Sequence, residues 1–185
     1  ANCDMTLRVL VVGGPGRITT STLAALVDDG HDVSVATRSI DDRRSVPGVS
    51  MHNVDRNDRG ALAQLASRIR PEIVIDVCLM TPEQAEGVVE VFAGQVDQDL
   101  FLSTVDVYGY PLPSLPVSED DPATRQNTPY AIGKREAEQM LVAGLADAAT
   151  IIRVGYSFGS RFMISFISHA GGSVWIERLR AGLPV

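Results

Sequence analysis

Tyr130 and Lys134 stand four residues apart in the run T-P-Y-A-I-G-K. On a helix that spacing puts both side chains on one face. An ammonium beside a phenol stabilises the phenolate and lowers its pKa toward neutrality, so the pair can give and take a proton at working pH. Composition adds weight, because Lys134 is the sole lysine against fifteen arginines, and Tyr130 is one of four tyrosines. A compact ammonium and a planar guanidinium do different chemistry. A second reactive element lies upstream in S-T-V-D-V-Y-G. A hydroxyl from Ser103 or Thr104, at the end of a strand, would face a reacting carbonyl and stabilise developing oxyanion charge.

A third feature is the run V-G-G-P-G-R-I-T near the start of the chain. It follows an apolar block and opens a helix, where backbone N–H groups and the helix dipole favour a pyrophosphate. Gly13, Pro15, Gly16, Arg17 and Ile18 are therefore candidate cofactor-binding residues. Thr19 occupies the place of a third glycine and adds bulk where helix and strand pack closely. At the end of the second apolar block stand Thr37 and Arg38 rather than an acid. An acid there would hold a ribose diol, whereas an arginine accommodates a 2′-phosphate. Arg38 with Arg17 therefore favours NADP(H) over NAD. Asp41 and Asp42, the acids that would argue for NAD, sit several residues too late.

These groups need a scaffold. Short apolar runs at 7–12, 32–37, 49–54, 73–78, 99–103 and 150–154 read as buried strands. Between them, 18–29, 59–70, 81–93 and 128–145 read as helices, the third and fourth each opened by Thr-Pro. Pro111, Pro113, Pro116 and Pro122 mark a long loop, and 162–167 and 174–179 are apolar segments of the tail. Alternating strands and helices with near-continuous apolar strands give an α/β fold, a doubly wound parallel sheet of about six strands in a single domain over 1–185.

Composition bounds the rest. A chain of 185 residues, 45% apolar and 21% charged, can bury a real core. Its net charge of −7 argues against nucleic acid or an anionic membrane as partner. No apolar run is long enough for a membrane span, and no signal peptide opens the sequence, so a cytoplasmic protein is expected. Cys3 and Cys78, like His31, His52 and His169, lack ligand spacing, and no metal is expected. Asp76 reads as hydrogen-bonded rather than catalytic, and Trp175 and Leu179 as packing or association residues.

Together these features resemble the short-chain dehydrogenase/reductase superfamily, in its extended branch related to NAD(P)-dependent epimerases and dehydratases. The resemblance rests on the 13–19 turn, Asp55-Arg56, S-T-V-D-V-Y-G, Y-A-I-G-K and the run I-I-R-V-G-Y-S-F-G. It implies a Rossmann domain in which Thr104 is the catalytic hydroxyl, Tyr130 the acid/base and Lys134 a ribose-binding residue. It also implies that Asp55 contacts the adenine, that Val77, Cys78 and Leu79 pass along the cofactor, and that two chains pair through the helices at 81–93 and 129–145. Members of this branch continue into a lobe that holds the substrate. The chain is therefore expected to be either a piece of a longer protein or a member with that lobe reduced. The expected activity is NADPH-dependent reduction of a carbonyl, iminium or carbinolamine of a small molecule, in a setting such as secondary metabolism. The alternatives are a nucleotide-sugar epimerase or dehydratase, and a non-catalytic NADP-binding sensor.

Overall fold

The computed structural model describes residues 5–16, 18–41, 45–123, 128–155 and 174–183. Six strands form one sheet: β1 (Arg8–Val12), β2 (Asp32–Thr37), β3 (Val49–Asn53), β4 (Ile73–Asp76), β5 (Gln98–Thr104) and β6 (Ala149–Val154). Their order across the sheet is β3-β2-β1-β4-β5-β6. The pairs β1–β2, β1–β4, β2–β3 and β4–β5 are parallel, with Val9 opposite both Val33 and Ile73. The chain winds outward one way from β1 and then outward the other way from β4. This is the doubly wound topology expected, and it leaves a crevice above the β1/β4 boundary.

The α-helices among the described residues are α1 (Thr19–Asp28), α2 (Arg59–Ile69), α3 (Pro82–Phe92), α4 (Pro129–Leu145) and, in the C-terminal segment, α5 (Val174–Arg180). Leu10, Val12, Val74 and Phe101 on one sheet face meet Leu62 and Leu65 of α2, Val88 and Phe92 of α3 and Leu141 of α4. On the other face Val9, Val11, Val33 and Val35 pack with Leu23 of α1. Residues alternate between these two cores along β1, which is why its apolar run is unbroken.

Local chemistry sets the boundaries. Asp58, Thr81 and Thr128 accept hydrogen bonds from the backbone N–H groups of Ala61, Gln84 and Ala131, so α2, α3 and α4 start on capped ends. β4 stops at Asp76, two residues before the predicted end, because the Asp76 carboxylate accepts from the Cys78 N–H at 3.2 Å and turns the chain. The proline-rich loop begins with a 3₁₀ turn over Val105–Tyr108 that the sequence pattern did not reveal; Thr104 caps it through Asp106 N–H at 3.2 Å.

The chain divides into two compact units, Ala1–Arg153 and Val154–Val185. In the second, α5 ends on Gly182 in the left-handed region at φ 67. Leu183 N–H donates to Arg178 C=O and Gly182 N–H to Leu179 C=O, closing the helix. The apolar segment at 162–167, the Y-S-F-G run and His169 lie outside the described residues.

Candidate active site

A cleft of about 630 Å³ opens at the carboxyl ends of the strands, over the β1/β4 boundary. Its walls come from four chain segments that the topology brings together. These are the glycine turn after β1, the exit of β2, the exit of β3 and the β4–α3 connection. Of the predicted cofactor residues, Gly13, Pro15, Gly16, Thr37, Arg38, Asp55 and Cys78 line it. Gly14, Asp41, Arg56, Asn57, Met80 and Gln84 also line it, and were not among the predicted contacts.

The turn fits an anionic ligand. Gly13 sits at φ +126, and a Cβ there would lie 2.5 Å from Val77 Cγ2. At Gly14 a Cβ would lie 2.8 Å from Thr37 Oγ1. Only glycines let the chain turn this tightly, which leaves backbone N–H groups at the cleft wall. Unlike α2, α3 and α4, α1 has no side-chain cap, and its first turn carries no acid. Thr20 N–H is taken by the Gly16 carbonyl at 3.1 Å, and the positive dipole end of α1 is left to a ligand. Thr19 is buried beside that turn, at 4% exposure. At the β2 exit the Thr37 hydroxyl donates to Ser39 C=O at 3.2 Å, forming a tight turn beside the exposed Arg38.

Four predicted cofactor contacts, Leu79, Val77, Ile18 and Lys134, are not among the residues lining the cleft. Leu79 is fully buried in the core with α2, α3 and α4, so it does not reach the cleft. Val77 turns the other way, into the core beneath α1, where it backs Gly13. Ile18 is exposed at the start of α1 but does not line the cleft. Arg17, like Asp42, lies outside the described residues.

Thr104, Tyr130 and Lys134 converge at the β5/α4 edge. The Tyr130 phenol is on the Thr104 side of this edge, where the Thr104 side chain favours the phenolate. Ser103 is the buried neighbour and donates instead to Glu138, leaving Thr104 as the hydroxyl on the Tyr130 side. Lys134 is 2% exposed, donates to the Leu102 carbonyl at 2.7 Å and lies 4.6 Å from the Phe101 ring centroid. Gly133 explains how α4 sits so close to the cleft: a Cβ there would lie 2.5 Å from the carbonyl oxygen of Met80, a cleft residue.

The expected lowering of the Tyr130 pKa is also corrected. Burial raises it above the usual phenol value, the Thr104 side chain opposes this, and the Asp106 carboxylate adds to the rise. The Lys134 ammonium faces the Leu102 carbonyl and sits 5.9 Å from the Tyr130 ring centroid, so its charge is spent elsewhere. Burial in turn brings Lys134 down to about 8. A protonated phenol is therefore the resting state, which suits a proton donor.

Beneath the cleft lies a buried charged group. Arg56, with 7% of its side chain exposed, donates to Asp76 at 2.6 Å and to Cys78 Sγ at 3.6 Å. Asp76 thus takes a hydrogen-bonded role, as read from the sequence. Asp99, fully buried on the same side of the sheet, has no hydrogen-bond partner among the described residues for either oxygen. Burial first, then Asp76, pushes its pKa up to about 8. Since folded Asp99 holds its proton up to about pH 8 and an unfolded Asp releases it near 4, stability falls as pH rises across that window. Asp99→Asn is expected to flatten this decline and raise Tm at pH 8 more than at pH 4. Parallel pH-dependence of the two proteins in thermal melts would contradict that placement.

The histidines are engaged structurally: His52 sits between Ser34 and Arg68, both at 3.3 Å, and His31 accepts from Leu7 N–H. Among the described residues no group of His, Cys, Asp and Glu could hold a metal ion, and no helix is long and apolar enough to cross a membrane.

Comparison with known proteins matches this architecture. The model of the NAD dependent epimerase/dehydratase family matches residues 85–181. The 2'-dehydrokanamycin reductase of Streptomyces kanamyceticus is 30% identical over 184 residues, covering 97% of this chain and 51% of the reductase. The chain therefore spans about half the length of that curated relative. Among solved structures, the Bordetella bronchiseptica enzyme WbmG in complex with NAD and UDP superposes with a TM-score of 0.80 at 21% identity, over 98% of this chain and 62% of that one. The Thermotoga maritima UDP-glucose 4-epimerase gives 0.71 at 21% identity, over 96% and 64%. The family match covers just over half of the chain, and the chain belongs to the NAD dependent epimerase/dehydratase family.

Proposed function

We propose that the cleft binds a nicotinamide dinucleotide, NADPH by preference, and that the chain reduces a carbonyl, iminium or carbinolamine of a small molecule. The observation that carries this reading is the joining of two features in one fold. A glycine turn with an uncapped α1 forms one end of the cleft, and Tyr130, with Thr104 of β5 on its side, stands on the helix that abuts its wall at Met80. When bound, the reduced nicotinamide supplies a hydride. Tyr130 holds the proton that the substrate heteroatom needs, and Thr104 orients the phenol and the substrate oxygen. Lys134 anchors α4 to β5 beside them through the Leu102 carbonyl and would face the cofactor's ribose. Reduction is favoured over epimerisation by the 30% identical relative, itself named a reductase.

The NADPH preference rests on Arg38. A guanidinium matches a phosphate dianion through paired charge-assisted hydrogen bonds. Arg38→Ala is expected to weaken NADPH binding about 10- to 100-fold while leaving NADH binding within about 2-fold. Equal losses for both would remove Arg38 as the discriminating residue. The second reading, an epimerase or dehydratase acting on a nucleotide sugar, is supported by neighbours solved with UDP or UDP-glucose. Stoichiometry separates the two: a reductase consumes one NADPH per product, whereas an epimerase returns its cofactor unchanged.

A further inference from the structure

Glu138 lies one helical turn beyond Lys134 on α4 and is 4% exposed. Its carboxylate is held on every side. Oε1 accepts from the Ser103 hydroxyl and from Arg153 Nε at 3.1 Å, and Oε2 accepts from Arg153 Nη2 at 2.8 Å. Arg153 Nη1 continues to the Tyr108 hydroxyl at 2.8 Å, with the guanidinium 4.8 Å from that ring's centroid. One ion pair, buried at Glu138 and partly exposed at Arg153, thus joins β5, α4, β6 and the 3₁₀ turn. Thr104 lies between the two anchored points on its own strand and turn: Ser103 before it is tied to Glu138, and Tyr108 after it is tied to Arg153. Tyr130 lies on the same helix as Glu138. The network therefore ties the strand and turn that carry Thr104 to the helix that carries Tyr130 while touching neither hydroxyl.

A buried ion pair is a poor source of net stability, since desolvation consumes most of its attraction. A hydrophobic trio would fill the same space, but it would not set the register of strand against helix. We propose that Glu138, through Ser103 and Arg153, is a positioning residue that fixes the strand and turn of Thr104 against the helix of Tyr130, and so sets where the two hydroxyls stand. The inference rests on the reading of Thr104 and Tyr130 as the reacting pair, and its test needs neither substrate nor cofactor.

The test is the ultraviolet titration of the Tyr130 phenol, isolated by subtracting a Tyr130→Phe protein made in the same background. The groups facing that phenol (Thr104 on β5, Asp106 on the 3₁₀ turn and Lys134 on α4) remain in every variant. Glu138→Gln is expected to raise the Tyr130 midpoint by about 0.7 of a pH unit, the worth of one hydroxyl moved away from the phenolate. Ser103→Ala, which leaves the Glu138–Arg153 pair intact, is expected to move it the same way by less, and decides the matter if Glu138→Gln does not fold. Leu141→Ala, a fully buried α4 position outside the network, serves as the merely destabilised control and is expected to leave the midpoint alone. An unmoved midpoint in Ser103→Ala and in any folded Glu138→Gln protein overturns the proposal. So does an equal shift in Leu141→Ala. If the midpoint moves as expected but Tyr130→Phe leaves turnover intact, the positioning stands and the reductase reading falls.

Discussion

Tyr130→Phe is expected to reduce turnover by about 10²- to 10⁴-fold, the usual worth of a positioned general acid, with dinucleotide affinity unchanged. The substitution removes one oxygen and keeps the ring. The ring is half-exposed at the start of α4, so the fold loses little. Burial and Asp106 keep the phenol protonated at neutral pH, so the missing group is a donor and no other hydroxyl replaces it. Thr104 is capped into its own turn through Asp106 N–H, and Ser103 is committed to Glu138. A matching loss of affinity and turnover would mean that Tyr130 binds rather than reacts. Unchanged rates of cofactor oxidation would remove it from the chemistry altogether.

The second large effect lies at the other end of the cleft. Gly13→Ala is expected to destabilise the fold by about 2 kcal/mol or more and to abolish dinucleotide binding. An alanine there is strained at φ +126, and its Cβ would meet Val77 at 2.5 Å and Cys78 Sγ at 3.2 Å. Val77 cannot yield freely because it packs against the core beneath α1. Gly16→Ala separates the two consequences. An added Cβ there meets nothing closer than 3.8 Å, so stability should hold while a ligand's approach to the backbone is impeded. Chemical denaturation beside cofactor titration reads both. If Gly13→Ala binds as well as the parent, the turn does not cradle the ligand.

Much of this was legible in the sequence because it depends on local pattern. Apolar runs between glycines and Thr-Pro starts located the six strands and the four helices of the first unit to within one residue, apart from the early end of β4. The glycine turn, Arg38 and Asp55 fell on one cleft because strand ends in a doubly wound sheet share one edge. What was not legible depends on contacts between distant residues or on a side chain's direction. Arg56 and Asp76 are twenty residues apart, and nothing local announces their pairing. Leu79 adjoins Cys78, yet one faces the core and the other the cleft, because the Asp76 turn breaks strand alternation between them. The sign of the Tyr130 shift depends on where the Lys134 ammonium points, and it points at the Leu102 carbonyl. The 3₁₀ turn that orients Thr104 is only four residues long, too short to show a period.

The most direct measurement is a fluorescence titration of the chain with NADPH and, separately, with NADH. Saturable binding of one dinucleotide per chain, tighter for NADPH and lost in Gly13→Ala, is the expected result. No saturation by either dinucleotide at millimolar concentration, from a chain shown to be folded, would contradict the assignment of the cleft and the reading built on it.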